Sequence, residues 1–363
     1  MYTALLVILI LVVLIVTHEL GHFIVAKIFG VRVDEFGVGY PPRAFTFGTW
    51  GGTEYTLNWI PFGGVVRLFG DEPDSTHGNG SFADASKWKQ AIILLAGVAM
   101  NALMAWLLFA GALHAGVVRV DASPIPSPNS RLIVAQVIPG SPADVAGIAA
   151  WDRIISIIDE RGVSPTALSP QAVISFIGVR GGKAINVVYV HAGATSTAIV
   201  RPVNAIIEDA ANRPALGIAL VSVSEQPLSW NDAFVESLGS TYHALLSVGN
   251  GLRILFVNAV RGSADLNDVV GPVGLVSSVN EAAHTGLGAF LWLAGFIAAN
   301  LTVINLIPIP VLDGGRLVLV LFEAVTRRNA PRLLVQIMNT VGVALIIILM
   351  IVVTYHDIAR LFA

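Results

Sequence analysis

The chain has 363 residues, 55% hydrophobic and 12% charged, with a mean hydropathy of +0.75, too apolar to cover an ordinary water-facing surface. A net charge of −3 without a basic cluster argues against a nucleic-acid partner, and the lack of cysteine excludes disulfides, iron–sulfur clusters and thiolate metal sites. What remains is a membrane protein whose strong metal ligands can only be histidines and carboxylates.

Residues 1–17 carry no charge, and the apolar run resumes after His18–His22 as far as Phe29, which predicts a first span of about 40 Å if continuous. A cleavable signal peptide is the competing reading, weakened by the missing basic start and the missing small-residue cleavage site. The following loop has strand-like runs at 43–48 and 53–60 joined by Thr49-Trp50-Gly51-Gly52, then a bend at Pro61-Phe62-Gly63-Gly64 and a short strand over 65–69. This predicts a hairpin beside the membrane, whose edge either takes an extended peptide or is merely structural.

A second span is expected over 90–118, a Pro/Ser-rich linker over 119–129, and a small α+β domain over 130–203, with strands at 132–138, 153–158 and 185–190 and a helix at 170–177. In the connector 204–286, the apolar run 231–260 is interrupted by Glu236, His243, Asn250 and Arg253 and reads as an interfacial amphipathic helix. A third span at 287–312 and a fourth at 333–354 complete the membrane core, formed by 1–118 and 287–363. The expected fold is thus a polytopic α-helical membrane protein of about four transmembrane helices, with a membrane-associated β-hairpin and one inserted α+β domain. Lys27, Arg32, Arg43, Arg67, Lys87 and Lys89 lie between the first two spans and Arg316, Arg327, Arg328 and Arg332 between the last two, which places those loops in the cytoplasm and the inserted domain outside.

His18-Glu19-Leu20-Gly21-His22 sets two imidazoles at i and i+4, one turn apart on one helix face, where both can reach one tetrahedral metal. Glu19 is placed to act as general base on a water whose pKa zinc lowers toward about 7. Ionisable groups in an apolar helix cost about 2.5–3.5 kcal/mol for an acid at the bilayer centre and are usually functional. A third ligand is required, and Asp313 sits at the inner end of the third span, where it can meet His18 at similar depth. Pro308, Pro310, Gly314 and Gly315 around it predict an unwound segment, which at membrane depth must be buried or line a wet cavity. Asp313 as a simple helix cap is the other reading of that segment.

Pro139-Gly140-Ser141-Pro142-Ala143-Asp144-Val145-Ala146-Gly147-Ile148, followed by Trp151-Asp152, resembles the PDZ domains attached to bacterial proteases, with Trp151 standing where that pattern usually carries glycine. Taken with His18–His22, Trp59-Ile60-Pro61-Phe62-Gly63-Gly64-Val65-Val66, Gly271-Pro272-Val273-Gly274 and Asn305 through Gly315, the chain resembles the bacterial site-two proteases, closest to the regulator of sigma E protease group. The resemblance implies an intramembrane zinc metalloprotease of the bacterial inner membrane, with Zn2+ held by His18, His22 and Asp313, Glu19 catalytic, and substrate contacts at Asn300 and Asn305. Gly63 and Gly64 are expected to flank the substrate strand. It further implies single-span membrane substrates, such as an anti-sigma factor or signal-peptide remnants, and an extracytoplasmic PDZ-like domain that either takes a peptide C-terminus as ligand or serves only as a spacer or gate. In the second span Asn101 keeps its place, although the proline that usually precedes it is absent; it is read as a structural contact. A membrane metal transporter and an inactive membrane-anchored scaffold are the rival readings.

Overall fold

The computed structural model describes residues 2–71, 78–120, 130–191, 194–204, 213–263, 271–328 and 330–361. In chain order the elements are α1 (Tyr2–Ile28), β1 (Val33–Trp50), β2 (Thr53–Leu68), α2 (Lys87–Ala115), β3 (Arg119–Val120), β4 (Arg131–Val137), α3 (Pro142–Val145), β5 (Arg153–Asp159), α4 (Pro170–Gly178), β6 (Ile185–His191), β7 (Ala194–Val200), β8 (Ile218–Ser224), α5 (Trp230–Val260), α6 (Pro272–Thr285), α7 (Leu287–Asn305), α8 (Asp313–Thr326) and α9 (Arg332–Leu361). They form two compact units, Met1–Ala115 with Leu228–Ala363, and Gly116–Pro227.

The first unit is a helical bundle built on α2. Leu14 of α1, Phe109 of α2, Val279 of α6 and Ala298 of α7 are buried together in its core, while Val33, Leu68, Ile93 and Val320 form a second cluster near the hairpin. Small residues let the helices approach: a β-carbon on Gly21 would overlap the carbonyl of Ala96, so α1 and α2 cross backbone to backbone there.

Five described helices are long and apolar enough to cross a membrane, α1, α2, α5, α7 and most of α9. The segment read from sequence as interfacial is therefore a fifth candidate. In α5, Ala233, Ser237, Thr241, Ala244 and Val248 are buried on one face, packed toward α2 and α7. Its hydroxyls are satisfied internally, Thr241 donating to the Ser237 carbonyl at 2.8 Å and Ser237 to that of Phe234 at 3.1 Å, so its polarity is no obstacle to packing among helices. A fifth crossing would set the two chain ends on opposite sides, against the orientation drawn from loop charges.

The hairpin is larger than its sequence signal. β1 and β2 bend so that residues 35–38 of β1 are flanked by 54–57 on one side and 64–67 on the other, which leaves 64–67 at an edge of the small sheet. Its sidedness is inverted relative to a soluble hairpin. Thr53, Thr56 and Asn58 are buried, whereas Phe45, Phe47, Leu57 and Trp59 are exposed. The inward polar groups are paired: Thr56 donates to the Glu35 carboxylate at 2.8 Å and Asn58 to the Gly39 carbonyl at 2.9 Å.

The second unit is a six-stranded antiparallel sheet of order β3-β8-β4-β5-β6-β7, with α3 and α4 packed on it. Leu132, Ile148, Ile157, Val173, Ile185 and Val187 fill its core. Strands β4, β5 and β6 and helix α4 fall where the sequence pattern placed them; β8 lies beyond residue 203 and completes the sheet between β3 and β4. Of the expected linker, Arg119 and Val120 form β3 and residues 121–129 lie outside the described set.

Trp151 adopts φ 73°, the left-handed region, and its side chain is exposed. Asp152 holds this turn, accepting from the Ala149 N–H at 2.8 Å and pairing with His191 Nδ1 at 2.7 Å. A left-handed non-glycine residue costs about 1–2 kcal/mol. Trp151→Gly is thus expected to stabilise the second unit by about 1 kcal/mol, read in the intact protein as roughly fivefold slower hydrogen exchange of the β4–β6 amides.

Candidate metal centre and active site

The centre is assembled from α1, α2, α8 and the hairpin. His18 and His22 project from one face of α1, one turn apart. α7 ends at Asn305, residues 306–312 are non-helical, and α8 begins at Asp313, so the unwinding expected from the prolines occurs. Glycine is required there: a β-carbon on Gly314 would overlap the Leu306 carbonyl, and one on Gly315 the Ile309 carbonyl. The first turn of α8 is thereby packed directly on the broken segment, with Asp313 turned toward α1.

Three donor atoms converge. His18 Nε2 lies 3.0 Å from Asp313 Oδ2, His22 Nε2 lies 3.3 Å from the same oxygen, and the two nitrogens are 3.2 Å apart. Bonds of about 2.0–2.1 Å at the tetrahedral angle require ligand atoms about 3.3 Å apart, so the triangle fits a zinc ion. Asp313 Oδ2 is buried without a well-directed hydrogen bond despite these short separations, as expected of an oxygen aimed at a shared point rather than at a proton. His22 Nδ1 lies 2.7 Å from the Ile93 carbonyl, which can only accept, so Nδ1 carries the proton and Nε2 presents its lone pair to the centre. His18 Nδ1 is 3.1 Å from the side-chain amide of Asn101 on α2.

Glu19 points to the hairpin. Gly64 is packed so closely that an added β-carbon would stand 2.5 Å from Glu19 Cγ and 3.2 Å from Ile15 Cγ2. Gly63, at φ 136°, abuts the Tyr40 ring, and the Tyr40 phenol is pushed up by burial and then by the Glu19 charge. Thus Glu19 and the 64–67 edge are brought together with the trio that could hold a metal. The asparagines are not: Asn300 donates to the Phe296 carbonyl of its own helix at 2.8 Å, and neither it nor Asn305 hydrogen-bonds the trio among the described residues.

Two features go beyond the sequence reading, which had Asn101 only as a structural contact. α2 supplies backing to the centre, with Ile93, Gly97 and Asn101 on one face, and Gly97 sits where a β-carbon would overlap the His22 ring and stand 2.8 Å from His18 Cε1. A Gly-x-x-x-Asn spacing is the sequence trace of that arrangement. Behind Asp313, Arg316 of α8 pairs with Asp71, and Lys87 of α2 pairs with Glu323 at 2.7 Å, anchoring α8 to the loop and to α2.

The sequence matches peptidase family M50 over residues 6–349. It is 31% identical over 347 residues to a protein of Clostridium perfringens that bears a zinc-metalloprotease name, covering 95% of each chain. It is 27% identical over 433 residues to the zinc metalloprotease RasP of Oceanobacillus iheyensis, covering 96% of this chain and 97% of that one. Among solved structures, the PDZ domain of an SdrC-like protein from Listeria monocytogenes matches 27% of this chain and 93% of that domain, at 22% identity and a TM-score of 0.21. With the match extending over nearly its whole length, the chain belongs to peptidase family M50, the site-two protease family of zinc metalloproteases.

Proposed function

We propose that this protein hydrolyses a peptide bond within or beside the transmembrane segment of single-span membrane proteins, with His18, His22 and Asp313 holding zinc and Glu19 as general base. The observation that carries the reading is the triangle of donor atoms at 3.0–3.3 Å on elements of a helical membrane bundle, next to a carboxylate that faces a sheet edge. Bound there, zinc supplies a Lewis acid that polarises a carbonyl and acidifies water. Glu19 takes the proton of the attacking water and returns it to the leaving amide nitrogen. The 64–67 edge accepts the substrate as an added strand, because in a helix the scissile carbonyl is hydrogen-bonded and crowded. Membrane-bound anti-sigma factors and leftover signal peptides are the substrates proposed, the bacterial inner membrane is the location, and the second unit is proposed to lie outside the cytoplasm and to receive a peptide C-terminus.

The test is cleavage of a panel of single-span proteins by the purified chain in detergent, before and after chelation. Cleavage that stops on chelation and returns with zinc supports the proposal; zinc-loaded protein that cleaves none of them but moves zinc across vesicles would establish transport instead. Gly64→Val, which presses on Glu19 and the edge, is expected to slow cleavage at least about tenfold with zinc content unchanged. Parallel loss of zinc would remove the substrate-edge role.

A further inference from the structure

We infer that Asn101 is a positioning residue for the metal centre: its side-chain carbonyl accepts the Nδ1 proton of His18 and so sets the tautomer in which His18 Nε2 can bind zinc. The inference rests on the metal site proposed above. Asn101 is fully buried on α2 opposite α1. One end of its amide is 3.1 Å from His18 Nδ1, drawn as nitrogen, while the oxygen at the other end is buried with no hydrogen-bond partner. The two ends of an amide are told apart by their hydrogen bonds, and the drawn orientation strands the acceptor end while it aims a donor at His18.

If the amide nitrogen donated to Nδ1, the ring proton of His18 would lie on Nε2. That atom is 3.2 Å from His22 Nε2, whose own ring proton is held at Nδ1 by the Ile93 carbonyl. A proton on His18 Nε2 would occupy the space the three donors enclose and would deny the metal one of its ligands. A half-turn of the amide brings Oδ1 to Nδ1 and turns the NH2 to the end that lacks a hydrogen-bond partner among the described residues, and what it gains is that His18 Nε2, His22 Nε2 and Asp313 Oδ2 all present lone pairs to one point. Both imidazoles are then oriented from α2 by oxygens at Ile93 and Asn101, eight residues or about two turns apart, with Gly97 midway making room for the rings.

The experiment is zinc affinity by chelator competition on the purified full chain, for wild type, Asn101→Leu, Asn101→Asp and His18→Ala, with the melting temperature of each metal-free protein. Asn101→Leu should weaken zinc by about 10- to 100-fold. Asn101→Asp, which keeps an acceptor and cannot donate, should bind zinc at least as tightly as wild type. If Asn101 only packs, metal-free melting falls while zinc affinity holds, which overturns the inference; so does an Asn101→Asp protein as weak as Asn101→Leu. Should Asn101→Leu fail to fold, Asn101→Asp alone decides on the same criterion. A wild type that binds zinc no better than His18→Ala overturns the metal site itself, and this inference with it.

Discussion

Glu19→Gln is expected to keep zinc at the wild-type stoichiometry and to lose about 10²- to 10⁴-fold in cleavage rate, the range contributed by a positioned general base. The two effects separate because Glu19 stands apart from the three converging donors. Its contact is with Gly64 on the hairpin, and the amide of Gln fills the same space without accepting a proton at neutral pH. Zinc content and turnover of one single-span substrate, measured on the same preparation, check it. Loss of zinc together with activity would make Glu19 a ligand, and undiminished turnover would remove it from the chemistry.

The second large effect comes from a residue with no side chain. In Gly97→Ala the new methyl group would meet His22 Cε1 at 2.6 Å and His18 Cε1 at 2.8 Å. Neither ring can yield freely, since His22 is tied to the Ile93 carbonyl and His18 to Asn101. Zinc affinity is expected to fall by about 10- to 100-fold, as for loss of the groups that orient a metal ligand, while the bundle keeps its helix content. Metal analysis and far-ultraviolet circular dichroism on one sample check this. Retained zinc with altered α1–α2 packing would show that the helices part more easily than the rings turn.

Much of the centre was legible because its parts are local. His18, Glu19 and His22 occupy one turn of α1, and the prolines and glycines of 308–315 act through backbone geometry that follows from residue type alone. What escaped depended on partners distant in the chain. Asn101 could be placed near the active-site helices, but its pairing with a ring proton 83 positions away has no local signature. Asn300, expected toward the substrate, also donates to the carbonyl four residues back on its own helix, a local bond that the sequence reading did not include. The 231–260 helix reads as interfacial from sequence and as a candidate span from its length for a related reason. Hydropathy counts Ser and Thr as polar without knowing that carbonyls of the same helix absorb their hydroxyls, or that Trp106 of α2 donates to the Phe234 carbonyl across the interface. β8 escaped because a closing strand is recognised by its neighbours more than by its own pattern.

The inverted hairpin ties the edge proposed to receive substrate to the medium around it. A slip of one residue exchanges the two faces of a strand, so the register that turns Thr56 and Asn58 inward and Phe45, Phe47, Leu57 and Trp59 outward is favoured only where the outside is oily. In water the opposite register would be preferred, and the segment that carries Gly64 past Glu19 would lose its alignment while the imidazoles stayed in place between their helices. On the proposed mechanism, extraction into a poor amphiphile is expected to leave zinc content unchanged and to abolish cleavage, so that solvation by lipid would act as a licence separate from assembly of the metal centre.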